Sequence, residues 1–381
     1  MFKEITDFIR AHYGHVEGFI PLHEPRFLGN EKKYLNDVID STFVSSVGQY
    51  VNRFEQMICD ITGAKYAVAT MNGTAALHVA LILAGVTRDD EVITQPLSFI
   101  ATANAISYTG ARMVFVDVDR DTLGLSPEHL EYFLKNNTTV NSDGDCINSS
   151  TGKRIAAVVP MHTFGFPCRI EEIVSVCSEY QVSVVEDAAE SLGSTYNDRH
   201  TGTFGLAGTF SFNGNKLVTS GGGGCVLTND EKLARLAKHI TTTAKTPHRW
   251  EYMHDMVGYN YRLTNLSAAL ACAQLEQLGT FIANKRETAL SYRSFLSDKF
   301  PTVNELPEAH ANYWLNAIIM RDKSERDAFL KFSNDQNIGC RPIWQLLNRA
   351  PMFQNMQSAD LSNAEWLEER VVNLPSSVTE R

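Results

Sequence analysis

The sequence predicts an α/β protein, with a large domain on a mostly parallel central sheet followed by a smaller C-terminal α+β domain. Three observations carry that expectation. Strand-like and helix-like segments alternate from about Tyr66 to Leu227, the pattern of a sheet covered on both faces. Val182-Ser-Val-Val-Glu-Asp187 is a β-branched apolar run of the kind that fills a buried parallel strand. From Leu263 a long amphipathic helical run, Leu266 to Phe281 and onward, leads into a strand at Asn316-Ala-Ile-Ile-Met320. The boundaries read as 20–250 for the large domain and 251–381 for the small one. A helix over Glu31 to Thr42, within the N-terminal region 1–42, is expected to pack on the second domain.

In chain order, Tyr66-Ala-Val-Ala-Thr70 reads as a short strand and Asn72-Gly-Thr-Ala-Ala-Leu-His-Val-Ala-Leu81 as the start of a helix. Helix N-termini bind phosphate through free N–H groups and the helix dipole, so Gly73 and Thr74 are candidate phosphate ligands. The same strand, turn and helix also occur in most α/β proteins without that role. Asn72-Gly-Thr matches a glycosylation acceptor, but nothing else in the chain suggests secretion. Asn136 to Lys153, rich in Asn, Ser, Thr, Asp and Gly, reads as an exposed insertion loop. The strand ending at Asp187 places its acids at the carboxyl edge of the sheet, where open α/β sheets bind ligands. Asp187 could pair there with a cationic ring nitrogen, as pyridoxal phosphate requires, or could cap the helix that follows.

Lys216 sits in Thr209-Phe-Ser-Phe-Asn-Gly-Asn-Lys-Leu-Val-Thr-Ser-Gly-Gly-Gly-Gly224, an apolar run that breaks into a loop and then four glycines. That is a setting for a Schiff-base lysine beside a closely approaching cofactor, and equally for a solvated lysine on a surface hairpin. The formal net charge of −10 comes with scattered basic residues, which argues against nucleic acid as a partner. Seven cysteines occur without a Cys-x-x-Cys pair, which argues against zinc and a disulfide framework and fits a reducing cytoplasm. No signal-peptide core or membrane-length apolar stretch is evident. No Gly-x-Gly-x-x-Gly follows a strand, and lysine before glycines reverses the phosphate-loop order, which disfavours a dinucleotide or phosphate-loop enzyme.

Over nearly its whole length the chain resembles the DegT/StrS family of fold-type I, pyridoxal-phosphate-dependent sugar-nucleotide aminotransferases. The markers run in order from Ser45-Ser-Val-Gly48 with Phe54-Glu55, through Asn72-Gly-Thr, Pro96-Leu-Ser-Phe-Ile-Ala-Thr-Ala-Asn104, Val116-Asp-Val118 and Val159-Pro-Met-His-Thr-Phe-Gly165. They continue with Glu186-Asp-Ala-Ala-Glu-Ser-Leu-Gly193, the lysine segment, Gly258-Tyr-Asn-Tyr-Arg262 and Arg341-Pro-Ile-Trp344. The resemblance implies that Lys216 bonds the cofactor covalently and then acts as general acid and base, while Asp187 keeps the ring nitrogen protonated. It also places Phe99 on the cofactor ring, Ser211 with Gly73 and Thr74 on the phosphate, and His162, Asn215 and Arg341 near the substrate. Asn260 would reach the phosphate of a neighbouring subunit, implying a homodimer with shared active sites.

Two positions depart from the family's pattern. Glu190 stands where many relatives carry glutamine beside the cofactor's phenolic oxygen, so it is either protonated there or differently employed. The tetraglycine run replaces a segment that often holds a glutamate. With Phe212-Asn-Gly-Asn-Lys216, it resembles the subgroup that makes UDP-4-amino-4,6-dideoxy-N-acetylglucosamine for bacillosamine or legionaminic acid. The activity so implied moves an amino group from L-glutamate to C4 of a UDP-4-keto-6-deoxy-N-acetylhexosamine. The alternative is the same chemistry on a dTDP-linked or 3-keto sugar. Relatives that dehydrate sugars carry histidine in place of the lysine, and Lys216 argues against that branch.

Overall fold

The computed structural model describes residues 1–14 and 17–379. At its centre is an eight-stranded sheet in the order Tyr66–Thr70, Gly224–Thr228, Ala207–Ser211, Ser183–Asp187, Ile155–Val159, Glu91–Thr94, Arg112–Phe115, Gln357–Ser358. From Ala207–Ser211 to Gln357–Ser358 all neighbours are parallel, whereas Gly224–Thr228 runs antiparallel to both of its partners. The mostly parallel sheet read from the β-branched runs is therefore present. Ile93, Val114, Val158 and Val185 in its interior are fully buried, as strands covered on both faces must be.

Helix Gly73–Leu83 lies directly on this sheet and is buried along almost its whole length. It begins where it does because the Asn72 side chain accepts the Ala75 N–H at 2.8 Å, satisfying a donor that the first turn leaves open. The neighbouring strand must be glycine there. A Cβ at Gly224 would stand 2.3 Å from the Asn72 carbonyl oxygen.

The C-terminal part contributes an antiparallel sheet of Asn316–Ile319, Val371–Leu374 and Arg341–Pro342. Helix Phe2–Tyr13 buries Ile5 and Ile9 in the same apolar cluster as Tyr292, Ile318 and Phe329. Helix Glu31–Ser41 packs on helix Asn265–Leu275. No single helix among the described residues is long and apolar enough to cross a membrane.

Two expectations need correction. The helical run from Leu266 is two helices, Asn265–Leu275 and Leu278–Leu296, bent by 58°. Glu276 at the bend is held by Tyr34 at 2.6 Å, Asn30 at 2.8 Å and Arg53 at 2.5 Å. The first helix is nearly all buried because its row of alanines meets helices on more than one side. The polar segment 136–153 is a hairpin, Thr138–Val140 with Cys146–Asn148, whose strands are too short to show a period. Its tip is a polar turn in which Asn141 accepts the N–H groups of Asp143 and Asp145.

The base of that hairpin is anchored in the core. Asn148 is fully buried and donates to Glu91 and Gln357, each at 2.7 Å, joining the hairpin to two strands of the large sheet. Asn148→Ala leaves a buried carboxylate oxygen and an amide oxygen without their donor, which costs about 1–3 kcal/mol. Urea unfolding should report that loss, whereas a variant within about 0.5 kcal/mol of wild type would make the hairpin an appendage.

Candidate active site

The strands Tyr66–Thr70, Ser183–Asp187 and Ala207–Ser211 all end at the same edge of the sheet. There a cavity of about 350 Å³ is walled by Gly73, Thr74, Phe99, Asp187, Glu190, Ser211 and Lys216, with Asn215, Trp314 and Trp344 on its outer side. Lys216 enters from the loop joining Ala207–Ser211 to Gly224–Thr228. That loop is closed by Phe212 N–H to the Gly223 carbonyl at 2.9 Å and Ser220 N–H to the Phe212 carbonyl at 3.0 Å. The lysine Nζ stands 3.1 Å from Glu190 Oε1 and 4.1 Å from the centre of the Trp314 ring. An ion pair and a cation–π contact thus fix the amine at the cavity wall.

Asp187 ends its strand with Oδ2 accepting the Thr102 hydroxyl at 2.7 Å and Oδ1 accepting the Ala189 N–H at 3.2 Å. No helix follows Asp187, so the cap reading is a correction: the Ala189 N–H that Oδ1 accepts belongs to a tight turn, and the other oxygen is held by Thr102. Burial pushes this carboxyl above its ordinary range against those hydrogen bonds and the nearby Lys216 and His162. No cationic side chain among the described residues forms a salt bridge with it. Glu190 meets the lysine amine with Oε1, and its Oε2 accepts the Phe164 N–H at 2.9 Å. Phe164 holds φ +57°, a left-handed conformation costly for a bulky residue, and the strained turn aims its N–H at the carboxyl.

At the other end of the cavity the helix beginning at Gly73 meets Ser211. A Cβ on Gly73 would come within 2.8 Å of Ser211 Cβ, so a glycine is needed for the serine hydroxyl and the helix N-terminus to converge. An anion cradle, a buried carboxyl with no salt-bridge partner among the described residues and a lysine thus line the same cavity.

The description of a DegT/DnrJ/EryC1/StrS aminotransferase family fits residues 27–379. The chain belongs to that family. It is 38% identical over 359 residues to the GDP-perosamine synthase of Escherichia coli O157:H7, spanning 94% of this chain and 93% of that protein. Among solved structures, the aminotransferase TlmJ from Streptoalloteichus hindustanus is similar with a TM-score of 0.85 and 28% identity over 94% of each chain. An E. coli GDP-4-keto-6-deoxy-D-mannose-3-dehydratase with bound hydrated PLP is similar with a TM-score of 0.82 and 25% identity, over 94% of this chain and 95% of that one. The chain is therefore a sugar-nucleotide aminotransferase that uses pyridoxal phosphate. Its cavity suits that group, because the Gly73–Ser211 cradle matches a phosphate and the uncompensated Asp187 a protonated pyridine nitrogen.

In this family member, Lys216, Asp187, Gly73, Thr74, Phe99, Glu190, Ser211 and Asn215 all line the one cavity. Phe99 is 49% exposed at its entrance. Arg341 lies outside it, on an adjoining cavity of about 410 Å³ that shares Asn215, Trp314 and Trp344. His162 is a correction. Its ring is fully buried outside the cavity, with Nε2 3.1 Å from Glu186 and Nδ1 accepting the Cys168 N–H at 3.3 Å, so it cannot touch a substrate directly. Asn260 is exposed and lies away from the cavity of its own chain, its backbone bridged to Thr242. Sequence reasoning assigned no role to Thr102, Trp314 or Trp344. Thr102 and Trp344 lay inside recognised motifs, while Trp314 before a strand looks like any core aromatic.

Glu190 is the departure with a measurable consequence. Burial pushes its carboxyl up to about 7 from 4.5, although Lys216 and the Phe164 N–H oppose the shift. The folded protein therefore holds this proton more tightly than the unfolded chain. Stability is unaffected below about pH 4.5 and falls as pH rises through 7, by up to about 3 kcal/mol. Glu190→Gln removes that dependence. In cofactor-free protein, urea unfolding should show the variant gaining on wild type by up to about 3 kcal/mol between pH 4.5 and 8, and a gap independent of pH would mean that Glu190 titrates as an ordinary glutamate.

Proposed function

We propose that the enzyme transfers the amino group of L-glutamate to C4 of a nucleotide-linked 4-keto-6-deoxy sugar. The observation that carries this reading is the position of Lys216, whose amine lies in one cavity with the Gly73–Ser211 cradle and the buried Asp187. When bound, pyridoxal phosphate supplies an electron sink that makes the C–H bond beside the nitrogen acidic. The chain supplies the rest. Gly73 and Thr74 N–H groups and the Ser211 hydroxyl hold the phosphate, Phe99 covers the ring, and Asp187, oriented by Thr102, keeps the ring nitrogen protonated. Lys216 then takes the proton from the amino-bearing carbon of glutamate and returns a proton to the sugar C4 in the second half of the cycle. Trp314 and Glu190 keep the amine in reach.

The likeness to a GDP-perosamine synthase and to a dehydratase named for GDP-4-keto-6-deoxy-D-mannose supports a GDP-linked acceptor. The UDP-N-acetyl sugar is the second reading, supported by Phe212-Asn-Gly-Asn-Lys216 and the glycines Gly221–Gly224. We take the working unit to be a homodimer in which Asn260 serves the partner's site. The segment leading to Asn260 supports this, with Trp250 71%, Tyr252 82% and Val257 83% exposed in the single chain.

Protein loaded with the cofactor and treated with L-glutamate, then freed of keto acid, should regain its original visible spectrum with the GDP-linked keto sugar. Recovery with the UDP-N-acetyl sugar alone would select the second reading, and recovery with neither would refute amino transfer to these sugars. Lys216→Ala should fold normally and lose at least roughly a hundredfold in turnover. Mixed dimers of Lys216→Ala with Asn260→Ala subunits should recover part of the activity through their one intact site. No rescue, with mixed dimers confirmed by mass, would separate Asn260 from the partner's site.

A further inference from the structure

The adjoining cavity of about 410 Å³ holds polar atoms that the protein does not satisfy. The ring nitrogens of His23 and Oδ1 of Asn373 are shielded from solvent, and among the described residues none of them meets a hydrogen-bond partner in good geometry. Asn373 is only 3% exposed. The Asn215 carbonyl, which accepts the Trp314 indole N–H at 2.8 Å, also lies beside the His23 ring and can take its N–H on the second lone pair, which leaves the ring lone pair and the Asn373 oxygen without donors. Buried polar atoms left unpaired are costly, and here two acceptors, one on each of two side chains, line one cavity next to Lys216.

Their chemistry narrows the ligand. Burial above all, with the Lys216 amine nearby, holds His23 well below the ordinary histidine range, so the ring is neutral with one N–H and one lone pair. Asn373 adds an acceptor. A carboxylate, which only accepts, would leave the His23 lone pair and the Asn373 oxygen unpaired. A hydroxyl or an acetamido group both donates and accepts, and matches them. Trp314, Trp344 and Ile343 supply apolar surface for the C–H face of a pyranose. Arg341, paired across the strands with Asn373 and exposed on the same wall, donates Nη1 to Asn334 Oδ1 and to the Cys340 carbonyl and adds positive charge to this rim.

We propose that His23 and Asn373 form the hexose subsite, bonding the hydroxyl or acetamido edge of the sugar and so reading the sugar rather than the amino donor or the nucleotide. This assignment rests on the sugar-nucleotide reading above.

Calorimetric titration of the cofactor-loaded enzyme with GDP, GDP-mannose, UDP and UDP-N-acetylglucosamine tests it, since these sugars bind without a keto group to react. Wild type should bind the sugar form of its nucleotide more tightly than the bare nucleotide. His23→Ala and Asn373→Ala should each lose about tenfold of that increment with bare-nucleotide affinity unchanged. His23→Gln, which keeps a neutral donor and acceptor, should retain most of it. The spectral change caused by L-glutamate alone should be unaltered in all three variants. His23 lies outside the regular strands and helices, so its variants report even if Asn373→Ala fails to fold. An increment that survives in His23→Ala, a loss shared equally by the bare nucleotide, or no increment in wild type overturns the subsite. If wild type aminates a nucleotide keto sugar while the increment survives in the variants, only the subsite falls; if it aminates none, the parent reading falls as well.

Discussion

The amine of Lys216 is held by a buried carboxyl on one side and an indole face on the other, and much of the chain is arranged to keep those two partners still. Glu190 belongs to the carboxyl edge of the large sheet, whereas Trp314 precedes the first strand of the small sheet. Asn312 joins them, donating to the Glu190 and Leu192 carbonyls at 2.9 Å and accepting the Trp314 N–H at 2.8 Å. Behind Trp314, the fully buried Lys285 donates to the Trp314 carbonyl at 3.0 Å and to the Ser376 carbonyl. Burial pushes that amine well below the ordinary lysine range, which suits a neutral donor set against backbone carbonyls. Lys216 is thus positioned by a hydrogen-bonded path crossing from one sheet to the other.

The same arrangement is costly to the fold. Asp187 and Glu190 are buried carboxyls with raised proton affinities, and Phe164 is held in a left-handed conformation to serve one of them. Such features persist where a bound group recovers the loss, and a protonated ring nitrogen at Asp187 is the partner that its environment lacks. Stability lost at an active site is the usual counterpart of preorganisation.

Much of the site was legible before the fold was known. Gly73, Thr74, Asp187, Ser211 and Lys216 each carried a local reason for their place, a turn, a strand end or a glycine-flanked loop, and they converge on one cavity. His162 was misplaced because a histidine after an apolar strand reads the same whether its ring turns towards the ligand or, as here, towards Glu186. Segment 136–153 reads as a loop in the sequence because its tip is polar, while the contact that anchors it, Asn148 with Glu91 and Gln357, spans distant parts of the chain.

What the sequence by itself determined was therefore the parallel sheet and the convergence of Asp187, Ser211 and Lys216 on one cavity at its carboxyl edge. Those follow from periodicity, strand ends and residue chemistry, which are properties of short segments. Only the tertiary structure decided which aromatic faces Lys216, how Glu190 is held, and that His23 and Asn373 share a cavity. His23 and Asn373 stand at opposite ends of the chain, and only the packing of the small sheet and the N-terminal segment around Trp314 brings their unpaired polar atoms to one wall.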